Sequence, residues 1–246
     1  MPPRFYTFLP LPQGGEFILP DYIVHHAIRV LRLQSGMQVV LFDGSGGEWL
    51  ANLENRHGQW LAQLNEFNPQ TRCASLSVTL VQALPAADKM DGIIQKCVQL
   101  GVQHIVPVSC QRSIVRLSGE RLHKRWLHWQ KVIVAACEQS GSNILPKITQ
   151  LHDLRSFLAE KHPDVESPFV SRILLATEAK LRLRELPSPV GQLVLLVGPE
   201  GGFNKQEQQA IRLAGFVEVS LGSRVLRCET AGMAALAACL ALWSDS

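Results

Sequence analysis

The chain has 246 residues, with 24 Lys and Arg against 21 Asp and Glu, a net charge of +3. Hydrophobic residues make up 46% and charged residues 18%, enough apolar content for packed cores, which excludes disorder, coiled coil and collagen. At roughly 150 residues per domain, the length suits one large domain or two modest ones.

The first part of the chain is β-rich. Short apolar runs predict strands at Phe17–Leu19, Met37–Asp43, Glu48–Leu53 and Trp60–Leu64, and a helix is expected over Pro20–Arg32. Asp43-Gly44-Ser45-Gly46-Gly47 predicts a hairpin turn, because glycine reaches positive φ without steric cost. Closely spaced small strands predict a small barrel or sandwich. Asn65–Ala74 is polar, contains a proline and marks a boundary, so we expect one domain over 1–70 and another over 71–246.

From Ser75 the rhythm changes. Strands are predicted at Leu76–Leu84, His104–Val108, Ile173–Ala176, Leu193–Val197 and Val217–Leu221. Helices are predicted at Asp88–Leu100, Gly119–Ser140, His152–Glu160, Lys205–Ala214 and Thr230–Trp243. Alternating strands and helices imply parallel pairing with helices on both faces. The unbroken Leu193–Val197 run is what a strand buried on both sides requires. The second domain is therefore expected to be α/β, with five or six parallel strands.

The longest charge-free stretches, Cys73–Ala87 and Cys97–Gln111, hold 15 residues each and contain polar ones. A spanning helix needs about 20 apolar residues. Residues 1–15 do not have the pattern of a signal peptide. Six dispersed cysteines without a C-x-x-C pair predict buried thiols in a reducing, cytoplasmic setting and no structural zinc. His25-His26 lacks a third ligand at metal spacing, so no metal site is expected.

Charge is unevenly spread. Arg112, Arg116, Arg121, Lys124, Arg125 and Lys131 fall within one stretch with only Glu120 against them. This fits a polyanion contact, or equally a solvated helix face.

Ligands of open parallel sheets bind beyond the carboxyl ends of the strands. Three strand ends stand out: Ala176-Thr177-Glu178, Gly198-Pro199-Glu200-Gly201-Gly202-Phe203, and Leu221-Gly222-Ser223-Arg224. The second lets backbone approach a ligand closely, or else makes a tight strand-to-helix turn with Asn204 as N-cap. It is neither G-x-G-x-x-G nor a P-loop. In the third, Arg224 and Arg227 precede a helix start at Glu229-Thr230, as functional cations or as surface charges. Gly232 inside that helix costs about 1 kcal/mol against Ala, which predicts another backbone passing close by.

These segments together resemble a known family. Residues 195–203 (LLVGPEGGF) and 221–236 (LGSRVLRCETAGMAAL) are similar to the SPOUT superfamily of methyltransferases. Within it the chain resembles the bacterial small-subunit ribosomal RNA uridine-N3 methyltransferase family. His26–Arg32 with Asp43-Gly44 is similar to that family's N-terminal PUA-like barrel. Lys96, Leu100-Gly101-Val102, Pro107, Arg112-Ser113 and Cys137–Gly141 are similar to its middle motifs. Ser142 and Gln99 depart from the pattern, standing where Arg and Glu are common.

The resemblance implies a PUA-like RNA-binding barrel and a trefoil-knotted parallel-sheet domain that binds S-adenosyl-L-methionine. Thr177, Glu178, Gly198, Pro199, Glu200, Gly201, Gly202, Leu221, Gly222 and Leu226 would hold the cofactor. Arg29, Arg32, Arg112, Arg116, Arg121, Lys124 and Arg224 would contact 16S ribosomal RNA, in the assembled small subunit. Arg227 would stabilise charge on the uracil, and Glu200 or Glu229 would take its N3 proton. A homodimer is implied. A binding protein with a dead pocket, or a phosphate-handling enzyme, fits less well: the cofactor loops are intact, and a P-loop and an acidic metal cluster are lacking.

Overall fold

The computed structural model describes residues 2–86, 88–113, 115, 118–159, 170–189 and 191–244. The chain forms two compact units, Met1–Cys73 with Val134–Leu145, and Ala74–Ile133 with Pro146–Ser246. The sequence contains no evident sign that 134–145 joins the first unit.

The first unit is built on one five-stranded sheet. Its strands are β1 (Arg4–Tyr6), β2 (Gly15–Ile18), β3 (Gln38–Phe42), β4 (Glu48–Arg56) and β5 (Gln59–Asn68). They run in the order β1-β3-β4-β5-β2, with only the β1–β3 pair parallel. β1 lies in a segment with no apolar run, which is why pattern reading passes over it. The expected turn after β3 is present. Asp43 accepts the Ser45 amide at 3.0 Å and its hydroxyl at 2.6 Å. Gly47 has φ of 75°, and a Cβ there would lie 2.5 Å from the Phe67 ring, so no other residue fits without rearrangement.

The predicted helix starts as α1 (Asp21–Val24) and continues as a wider π-type turn over His25–Val30. The Leu31 amide accordingly reaches the His26 carbonyl, five residues back, at 3.0 Å. Ile23 and Ala27 pack with Phe5, Phe17, Leu41 and Leu53 in the core of this unit.

An ion pair lies beside that core. Arg4 donates to Glu48 at 2.6 Å, with both side chains below 10% exposed, and its guanidinium stands 5.0 Å from the Phe42 ring centre. It also donates to the carbonyls of Gly141 and Ser142 at 3.2 and 3.3 Å. Glu138 accepts the Tyr6 amide, and Asn143 donates to the Gln70 carbonyl at 2.7 Å. These bonds explain why 134–145 belongs to this unit. The Ser142 hydroxyl donates to the Ile144 carbonyl at 2.9 Å and so shapes this loop.

The second unit carries β6 (Ser77–Ala83), α2 (Lys89–Gln99), β7 (His104–Ser109), α3 (Gly119–Ser140, of which the residues from Val134 on count with the first unit), β8 (Lys147–Ile148), β9 (His152–Asp153) and α4 (Leu154–Ala159). It continues with β10 (Val170–Leu175), β11 (Gln192–Val197), α5 (Lys205–Leu213), β12 (Val217–Val219) and α6 (Cys228–Trp243). All its strand pairs are parallel. The order is β12-β10-β11-β6-β7-β8, with β9 also on β7. Among the described residues the sheet therefore has seven strands, not five or six. The extra two are two-residue strands, too short to leave a periodic signal. One of them, β9, also takes the first two residues of the helix expected at His152–Glu160; Glu160 lies outside the described residues.

Leu193–Leu196 are fully buried, as the apolar run requires. Phe157, Phe203, Ile211 and Phe216 cluster with Val194 and Leu196 on one face. α2 and α6 pack together, with α6 against β6 and β11. Gly232 of α6 faces side chains rather than the expected backbone. A Cβ there would meet Gln82 Oε1 at 3.3 Å, Leu80 at 3.4 Å and Val197 at 3.5 Å. α6 begins at Cys228, with Arg227 as its N-cap, two residues before the predicted Thr230.

Removing one partner of a buried ion pair strands the other charge. Arg4→Met should therefore lower stability by about 3–5 kcal/mol, measured by urea unfolding. Arg72, 3.2 Å from Glu48 but 40% exposed, compensates only in part.

Candidate active site

β12, β10 and β11 are neighbours in a parallel sheet, so their carboxyl-end loops emerge side by side. They enclose a cavity of about 710 Å³. Thr177 and Glu178 line it after β10, Gly198, Pro199, Glu200 and Gly202 after β11, and Leu221, Gly222, Arg224, Leu226 and Arg227 after β12. Arg112 and Lys89 are also in the wall.

Gly201 is set apart from the other expected cofactor residues. It is absent from the cavity wall, and its missing side chain would face Arg112, 3.4 Å from that Cβ. Its carbonyl accepts from Arg112 Nη1 at 2.9 Å. Of the loop's three glycines, only Gly202 has positive φ, at 64°.

The β11 loop takes the tight strand-to-helix form that one of its two readings expected. It is a tight turn, in which the Pro199 carbonyl accepts the Gly202 amide at 2.9 Å. Asn204 caps α5 through the Glu207 amide at 2.9 Å, and Glu207 accepts the Asn204 amide in return. Glu207, 3% exposed, also accepts the Gln111 amide at 2.7 Å. The turn is thus anchored from behind while its glycine backbone faces the cavity.

Lys89 is the residue that sequence reasoning missed. Its ammonium lies 3.0 Å from Glu200 Oε1 and 3.3 Å from Glu229 Oε1. A clue was available: a lysine opening a helix sits against the dipole and needs anions nearby. A carboxylate of the β11 loop and one of the first turn of α6 are thereby brought to one cation. The Cys228 thiol donates to Glu229 Oε2 at 3.3 Å.

Burial works to raise the Glu200 carboxyl. The Ala86 amide, its own amide and Lys89 outweigh this and hold it below its ordinary value. Glu229 is also lowered, mainly by its own amide, against some desolvation, with Cys228 and Lys89 assisting. Burial, with Glu229 and Glu200 beside it, pushes the Cys228 thiol up to about 12. Both carboxylates are therefore ionised at neutral pH, and the thiol is not a nucleophile there.

Arg224 and Arg227 are exposed on the cavity wall. Among the described residues, no carboxylate stands within ion-pair distance of either. Arg121 and Lys124 are exposed on α3, away from the cavity wall, and Lys124 pairs with Glu120 at 2.8 Å. Arg29 and Arg32 are exposed in the first unit. Arg116 lies outside the described residues.

A family model described as an RNA methyltransferase domain matches residues 72–240, and an RNA methyltransferase PUA domain matches 19–58. The chain belongs to the RNA methyltransferase family. It is 35% identical to ribosomal RNA small subunit methyltransferase E of a Synechocystis strain, over 87% of this chain and 69% of that protein. The Bacillus subtilis protein of the same name is 29% identical, over 93% and 91%. The crystal structure of the Neisseria gonorrhoeae protein of that name, bound to S-adenosyl methionine, superposes with a TM-score of 0.90. That pair is 36% identical, over 100% of this chain and 99% of that one. A putative methyltransferase from Legionella pneumophila, in complex with the same cofactor, gives 0.91 at 30% identity, with both chains fully covered. The N-terminal unit is PUA-like and the second is the methyltransferase domain.

The glycines of the β11 loop should respond differently to the same substitution. Gly198→Ala places a Cβ 3.0 Å from the buried Phe203 ring and should cost about 1–3 kcal/mol by overpacking. Gly201→Ala makes only ordinary contact and should stay within about 0.5 kcal/mol of the parent. Thermal unfolding of the two variants measures the contrast.

Proposed function

We propose that this protein methylates N3 of a uridine in the 16S ribosomal RNA of the small subunit, using S-adenosyl-L-methionine. The observation that carries the reading is the three-loop cavity, whose wall holds glycine backbone and Arg227, a cation with no acidic partner among the described residues. Cavity and cofactor fit each other: at Gly202 and Gly222 the backbone opens onto free space, with no atom within 4 Å of a would-be Cβ. Apolar Leu221 and Leu226 stand beside them.

In this reading the backbone of Leu221, Gly222 and Leu226 takes the adenine edge. Gly198–Gly202 lies beside the ribose and methionine parts, with Thr177 and Glu178 opposite. The bound cofactor supplies an already activated sulfonium methyl, so orientation is the protein's main task and no metal is needed. Arg227 faces the uracil oxygens and stabilises charge as the N3 proton leaves. Glu200 or Glu229 takes that proton. Residues 1–70, with Arg29 and Arg32, give a second grip on a folded RNA, and Arg112, Arg116, Arg121, Lys124 and Arg224 add phosphate contacts. The reading includes a trefoil knot, a homodimer and action in the cytoplasm on the assembled small subunit.

Mass mapping of ribosomal RNA from cells lacking the gene tests the reaction. One methyl should disappear from a 16S uridine N3 and return on complementation; an unchanged map contradicts the proposal. Arg227→Lys tests the residue role. It keeps charge but loses the planar fork. Single-turnover methyl transfer should fall by one to two orders of magnitude, about 1–3 kcal/mol in barrier, with cofactor affinity little changed. Sedimentation alongside separates this from a loss of dimer.

A further inference from the structure

Lys89 is the first residue of α2, and its neighbours are already engaged elsewhere. Arg125 of α3 pairs with Asp88 and stands 4.0 Å from Asp91, while His128 of α3 bonds Asp91 at 2.7 Å. Lys89 alone of this group turns to the cavity. From the β11 loop it meets Glu200, whose Oε1 also accepts the Ala86 amide at 3.0 Å. From α6 it meets Glu229, flanked by Cys228. One ligand atom each from Glu200, Cys228 and Glu229 lies within 4.8 Å of the others. Arg112, the cation nearest the loop's other side, is bonded to the Gly201 carbonyl. Glu178, Arg224 and Arg227 are the remaining charged groups of the adjoining wall apart from the Arg212–Glu218 pair.

We infer that Lys89 is a positioning residue: by bridging Glu200 and Glu229 it holds one of them in place to take the proton of the RNA base. The inference rests on the methyl-transfer reading. Two carboxylates and one ammonium make an acceptor that keeps a partner at every stage. In the step, the base N–H bond breaks and its proton goes to a carboxylate oxygen. The electron pair left on nitrogen forms the new N–CH3 bond, and the methyl donor leaves as a neutral thioether. The ammonium stays with the second carboxylate. Without Lys89, two carboxylates this close repel, and one holds a proton to higher pH.

The test compares Lys89→Met and Lys89→Arg with the parent in two measurements. The first is carbon NMR titration of the Glu200 and Glu229 carboxyls in the free protein, which needs no substrate. The second is the pH profile of single-turnover methyl transfer to small subunits. For Lys89→Met we expect one carboxyl to titrate about one unit or more higher. The acid limb of the profile should move up by the same amount. One pH unit below the raised value, the variant's rate should then be about a tenth of its own alkaline plateau. Lys89→Arg, which keeps the charge, should restore both. Unshifted carboxyls, or an equal loss of rate at every pH, would overturn the role of Lys89. A parent protein that forms no N3-methyluridine overturns the functional reading itself, and that result is independent of the titration.

Discussion

The site depends on the insertion of β11 between β6 and β10 in an all-parallel sheet. Parallel strands send all their carboxyl ends to one edge, and the order β12-β10-β11-β6 makes four of those ends neighbours. The loops after β10, β11 and β12 then share one cavity, and the connection after β6 delivers Lys89 to it. The register is kept by Val197 opposite Gln82 and Leu196 opposite Leu174. β11 can occupy this position only because Leu193–Leu196 tolerate burial on both faces.

On this frame the wall carries charge in two different states. Lys89 is spent on Glu200 and Glu229, whereas Arg224 and Arg227 are exposed and have no acidic partner among the described residues. A cation already paired holds groups still; an unpaired one is available to an incoming anion or to developing charge. The division suits the proposed reaction, in which backbone would hold the cofactor and the substrate is a polyanion. It also explains why the glycines matter unequally. Gly198 abuts Phe203 and Gly202 needs its left-handed backbone, while Gly201 touches only Arg112.

Much of this was legible in the sequence. Long apolar runs located β6 and β11, and small residues at strand ends picked out the loops, because these features follow from burial and close approach. The pattern failed where the cause was not local. β1 reads as an irregular segment, and its Arg4 is ordered by Glu48 and by carbonyls some 137 residues away. β8 and β9 are only two residues long and exist as partners of β7. The membership of 134–145 in the first unit rests on side-chain bonds of Arg4, Glu138 and Asn143, which no periodicity encodes. Lys89 falls inside a predicted helix, and only folding shows which carboxylates it meets.

The central claim is that the three strand-end loops form the cofactor site. Amide NMR of the full chain during titration with S-adenosylmethionine tests it most directly. The account predicts saturable shifts concentrated at 176–178, 198–202 and 221–228, with the cavity around Cys110 and Asp153 undisturbed. No saturable shift, or shifts centred on that second cavity, would contradict it.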